Sequence, residues 1–74
     1  MSLGQNIRLR RYEAGLTQRE LAERIDVTQA ALNMFENDRR QPAFSTGLRI
    51  AEVLGCRPED LYEIPIDKNR RKDG

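Results

Sequence analysis

Four side-chain amides and several arginines carry most of the chemistry available to this sequence. Gln29, Asn33 and Asn37 follow one another at intervals of four residues, and Gln18 lies upstream of them. A carboxamide offers a donor and an acceptor side by side, which suits paired hydrogen bonds with the polar edge of a flat heterocycle or a single bond to an anion. Other chemistries lack their residues. Histidine is absent and Cys56 is the one cysteine, which removes the usual zinc ligand sets, the usual general base and any internal disulfide. Cys56 reads as a small packed residue just after a helix end. No glycine-rich phosphate loop or pair of carboxylates in a cleft appears, so no enzyme, catalytic residue, metal or cofactor is expected.

Five helix signals with short joints, and no strand-like alternation, predict an all-α domain that positions these amides. The first helix covers 3–14, with Leu3 and Ile7 on its inner face and Gly15 as a left-handed stop. Thr17 and Glu20 form a capping box, with Leu16 stapled to Leu21, and open a second helix that reaches about residue 25 and buries Leu21, Ala22 and Ile25. Asp26 and Val27 make a turn. Thr28 caps a third helix over 29–37, with Val27 stapled to Leu32. At about 100° per residue, Ala31, Leu32 and Phe35 face inward while Ala30, Asn33, Met34 and Asn37 face out, with Gln29 at the leading end. A basic loop over 38–43 leads to a fourth helix over 44–54, expected to bury Phe44, Leu48, Ala51 and Leu54 and closed by Gly55. Gly47 within it marks a close approach by another helix. Pro58 opens a short fifth helix through Tyr62. The domain thus covers 3–62, and 63–74 is a short extension with a charged, mobile end.

Two short capped helices joined by a tight turn push the second forward as a rod that fits the major groove of duplex DNA. Amides pair well with adenine, and alanine or methionine can touch a thymine methyl. Lysine and arginine are missing from the outward face, which argues against guanine-dominated reading. Backbone binding falls to the surroundings. Gln18 at the amino end of the second helix, Asn37, and Arg39 and Arg40 after the third are the expected phosphate contacts, which fix register without reading sequence.

The stretch GLTQRELAERIDVTQAALNMFENDRRQP, followed by LRIAEVLG, resembles the XRE or Cro-type helix-turn-helix family, which includes the phage lambda repressor-like domains. The resemblance covers about residues 3–62 and implies a five-helix bundle. It further implies that Gln18 binds phosphate, that Thr28, Gln29, Ala30, Asn33 and Met34 face the groove, and that Arg11 and Glu36 form a structural ion pair. Asp26 and Asp38 stand where the family usually has glycine, and Ala43 where serine or threonine commonly caps the fourth helix. Asp38 also brings a negative charge toward the expected path of the phosphates.

Composition agrees with a small binding module. The chain has 74 residues, 38 % hydrophobic and 34 % charged, with a net charge of +1, so one domain with a modest core is the limit. Cations gather at Arg8, Arg10 and Arg11, at Arg39 and Arg40, and in the tail. No apolar run reaches the roughly 20 residues of a membrane span, and no secretory signal is seen, so a cytoplasmic location is expected. The leading reading is a sequence-specific repressor acting as a homodimer on double-stranded DNA. Leu61, Tyr62, Ile64 and Ile66 serve either the dimer contact or closure of the domain's own core. The alternative is an antitoxin that binds a toxin through its tail and regulates its own promoter. No exposed aromatic platform for RNA or single strands is expected.

Overall fold

In the computed structural model, which describes residues 1–62, five helices run in the order α1 (Leu3–Glu13), α2 (Gln18–Arg24), α3 (Gln29–Glu36), α4 (Phe44–Leu54) and α5 (Pro58–Tyr62). Each of the first three starts on a hydroxyl cap. Ser2 and Gln5 form a capping box on α1, Thr17 and Glu20 one on α2, and the Thr28 hydroxyl accepts from the Ala31 N–H on α3. Ala43 gives α4 no side-chain cap. The capping box at Ser2 has the S-x-x-Q pattern and adds a cap to the helix expected from residue 3.

The first four helices end in the same way, with a residue in the left-handed region and a pair of closing hydrogen bonds. At α2 the Val27 N–H donates to the Ala22 carbonyl and the Asp26 N–H to that of Glu23; at α3 the Arg39 N–H donates to Met34 and the Asp38 N–H to Phe35. This is the Schellman arrangement. Glycine takes the left-handed position after α1 and α4, whereas Asp26 (φ 61°) and Asp38 (φ 58°) take it after α2 and α3. Aspartate tolerates that region better than most side chains. Both aspartates thus take the left-handed position that glycine usually fills in the family the sequence resembles.

One core joins the five helices: Ile7 from α1, Leu21 and Ala22 from α2 with Ile25 just beyond it, Leu32 and Phe35 from α3, Ile50 and Ala51 from α4, and Leu61 from α5. Leu16 and Val27 pack against it from the positions where staples were expected. The buried face of α4 differs from the expected one. Phe44 and Leu48 are 75 % and 40 % exposed, Leu54 is half-buried, and the inward face is Gly47, Ile50 and Ala51. On that inward face the Tyr62 hydroxyl occupies the space a Cβ at Gly47 would need. The close approach expected at Gly47 is thus made by α5. Leu61 closes the core and is fully buried, so it is no part of a dimer surface. Ile64, Ile66 and the rest of the extension lie outside the described residues.

No helix among the described residues is long and apolar enough to cross a membrane. The backbones of α1 and α3 also approach closely, at Gly4. A Cβ at Gly4 would lie 2.5 Å from the backbone carbonyl oxygens of both Phe35 and Glu36. Alanine gains about 1 kcal/mol of helix propensity over glycine, but overpacking against rigid backbone costs about 1–3 kcal/mol. Gly4→Ala should therefore lower the urea midpoint although it favours the isolated helix.

Candidate nucleic-acid interface

The geometry of the interface begins at Glu36, on the last turn of α3, whose residue surface is 1 % exposed. Arg11 of α1 donates from Nε to Glu36 Oε2 (2.7 Å) and from Nη2 to Oε1 (3.1 Å), and its Nη1 donates to the Leu16 carbonyl (3.0 Å). Gln18 at the start of α2 donates from Nε2 to Glu36 Oε1 (3.0 Å). Arg8 adds a more distant charge, with its Nε 3.6 Å from Oε1. The pairing raises the pKa of Arg11, chiefly through the hydrogen bond to Glu36 and against the opposing effect of burial. The Arg11 and Glu36 pair implied by the resemblance is present, and it ties α1, α2 and α3 to one carboxylate.

With α3 held in this way, Leu32 and Phe35 point into the core while Thr28, Gln29, Ala30, Asn33 and Met34 are all exposed. The five residues implied for groove contact are thus open to solvent, Thr28 at the cap and the other four on α3. Arg39 and Arg40 are exposed beyond its end, and Gln18 is half-buried. A primary amide nitrogen carries two hydrogens. One from Gln18 goes to Glu36, leaving one for an outside acceptor. Asn37 is committed on both sides: its Oδ1 accepts from Arg8 Nη2 (2.9 Å), and its Nδ2 donates to the Asn33 carbonyl (2.9 Å) and Oδ1 (3.3 Å).

Asp38 does not project freely toward the expected phosphates. Its carboxylate turns back on the start of α1, accepting from the Ser2 hydroxyl and the Gly4 N–H (3.0 Å). The negative charge therefore sits at a helix amino end, where it is favourable. These hydrogen bonds, with the Ser2 hydroxyl first, hold the Asp38 pKa below its ordinary 3.8. Sequence reasoning missed this link and also Asn6, whose buried Nδ2 donates to the Leu61 carbonyl (2.7 Å) and fastens α5 to α1. Each partner lies more than thirty residues away, and no local pattern points to it. Away from this face, a hollow beside α4 and α5 is lined by residues including Leu48, Ala51, Glu52, Cys56 and Pro58, with none from α2 or α3. Burial pushes the Cys56 thiol pKa up, which disfavours its reactive thiolate.

A profile of helix-turn-helix proteins matches residues 7–61. The chain belongs to the XRE or Cro-type helix-turn-helix family. It is 47 % identical over 62 residues to an uncharacterized HTH-type transcriptional regulator of Methanothermobacter thermautotrophicus, covering 82 % of this chain and 90 % of that protein. It is 40 % identical over 55 residues to the immunity repressor protein of Bacillus phage phi105, covering 74 % of this chain but only 38 % of that longer protein. Among solved structures, the P22 c2 repressor protein in complex with a synthetic operator superposes with a TM-score of 0.81 at 25 % identity, covering 85 % of this chain and 96 % of that one.

Two outcomes follow from the charges. Glu36→Ala strands the Arg11 guanidinium in the interior and should cost about 3–5 kcal/mol of stability, whereas replacing both partners with apolar residues of similar volume should recover most of that loss, both read from urea unfolding. Because the Asp38 pKa is lowered on folding, its contribution is full above the ordinary 3.8 and is lost as pH falls through the lowered value. The melting temperature of Asp38→Asn should accordingly fall less steeply than that of the wild type between about pH 5 and pH 2.

Proposed function

We propose that this chain is a sequence-specific repressor that binds double-stranded DNA through α3 and acts by occupying an operator. One observation carries the reading: the outer face of α3 is an exposed, uncharged array of Gln29, Asn33, Ala30 and Met34, set on a helix whose orientation is fixed from within. The names of the matched relatives, a transcriptional regulator and an immunity repressor, and the operator-bound P22 repressor agree with it. Gln29 and Asn33 are assigned to base edges, with Thr28, Ala30 and Met34 beside them in the groove. Gln18, Arg39 and Arg40 are assigned to the phosphates. The protein works in the cytoplasm as a homodimer whose two copies of α3 meet half-sites roughly 34 Å apart. The antitoxin alternative gains no support from these relatives.

Selection of bound sites from random duplexes is the direct test. Adenine and thymine pairs should dominate beneath Gln29 and Asn33, and Gln29→Ala with Asn33→Ala should abolish the preference while leaving weak binding intact. Arg39→Ala and Arg40→Ala should weaken binding to all duplexes alike, each reducing the slope of log affinity against log salt by about 0.9. A selected site with no preferred bases would remove the assignment of α3 as a reader.

A further inference from the structure

We infer that Arg8 and Asn37 are positioning residues that fix the polarity of the Asn33 amide and thereby help set which base it accepts. The inference rests on the DNA-reading function proposed above. It starts from a continuous line of polar contacts between the core and the outer face of α3. Arg8 lies beside buried Glu36, with its Nε 3.6 Å from Oε1 and its Nη2 donating to the Glu36 carbonyl (3.4 Å) and to Asn37 Oδ1 (2.9 Å). Asn37 Nδ2 then donates to the Asn33 carbonyl (2.9 Å) and to Asn33 Oδ1 (3.3 Å).

The direction of this line is dictated by donor chemistry. A guanidinium donates and never accepts, so the atom of Asn37 that meets Arg8 must be its carbonyl oxygen. The amide nitrogen of Asn37 must then face Asn33, and the Asn33 atom that meets it must be an acceptor. Asn33 is thereby set with Oδ1 toward Asn37. One lone pair is engaged there, while Nδ2, with both hydrogens, and the second lone pair are left on an exposed residue as a donor and acceptor pair. That is the pair needed by adenine N7 and N6. An exposed asparagine with no such neighbour turns its terminal torsion between two roughly equivalent positions, which exchange donor and acceptor. On a helix docked in one register, only one order of donor and acceptor matches a given base edge. Fixing the order beforehand removes an ordering cost from binding and denies the same fit to bases needing the reverse order.

This places Asn37 inside the protein's own network, in contrast to the phosphate contact expected from sequence. The two roles differ in a measurable way. A phosphate contact supports every duplex equally, whereas a positioning residue supports one base over others at one pair.

The experiment uses the full chain, the duplex selected by the wild type, and duplexes with each other base at the pair where Asn33→Ala loses discrimination. Asn37→Ala should lower the preference for the selected base at that pair by about tenfold, with affinity for a non-cognate duplex and the preference beneath Gln29 unchanged. Combined with Asn33→Ala it should cause no further loss at that pair. Asn37→Asp, which still accepts from Arg8 but cannot donate to Asn33, provides a second variant and should lose the preference at least as fully. Arg8→Met should lose part of it. Circular dichroism confirms that each variant is folded. If Asn37→Ala weakens all duplexes equally with the preference intact, or if its effect adds to that of Asn33→Ala, the positioning role is overturned and the reading function stands. If Asn33→Ala itself loses no discrimination, the base-reading role of Asn33 fails and this inference falls with it.

Discussion

A buried carboxylate constrains this molecule more than any other single group. Glu36 is enclosed, and an unpaired charge in that position would be far too costly for so small a core to support. It is tolerated because donors arrive from two other helices, Arg11 with a forked pair of hydrogen bonds and Gln18 with a third. These donors must come from fixed positions, so satisfying Glu36 also fixes how α1, α2 and α3 meet. Apolar packing alone is less directional: Leu32 and Phe35 would remain buried through small rotations of α3, but the forked contact with Arg11 would not survive them.

Helix termination supplies the second constraint. Four closures of the same type end α1 to α4 within a few residues each, and α5 follows the last of them. Where glycine would be the easy choice, Asp26 and Asp38 accept a left-handed backbone. At Asp38 the side chain gives something in return, since its carboxylate fastens the end of α3 to the start of α1, close to where Gly4 allows the two backbones to touch. The loop carrying Arg39 and Arg40 therefore leaves from an anchored point.

Both constraints converge on the outer face of α3. The polar network that orients the helix does not stop in the interior but continues through Arg8 and Asn37 to Asn33, and separately through Gln18 to the edge of α2. Stability and presentation are thus carried by the same residues. A change at Arg8 or Gln18 acts on both, which is why base preference and folding have to be measured separately.

The sequence by itself determined much of what depends on near neighbours along the chain. The box at Thr17 and the cap at Thr28, the stops at Gly15 and Gly55, and the division of α3 into Leu32 and Phe35 inside with Gln29 and Asn33 outside all follow from intervals of three or four residues, over which helical geometry is fixed. The motif residues also brought out the family and, through it, the pair of Arg11 and Glu36. Only the tertiary structure decided the rotation of α4: Phe44 and Leu48 make an apolar pair at helical spacing, yet the helix buries Gly47, Ile50 and Ala51 and sets Gly47 against Tyr62. The same holds for Asn6 on Leu61, Asp38 on Ser2 and Gly4, and the passage from Arg8 to Asn33. Most of these contacts join residues far apart in sequence, and which polar atom finds which partner is settled when the helices pack and the buried donors and acceptors must all be satisfied.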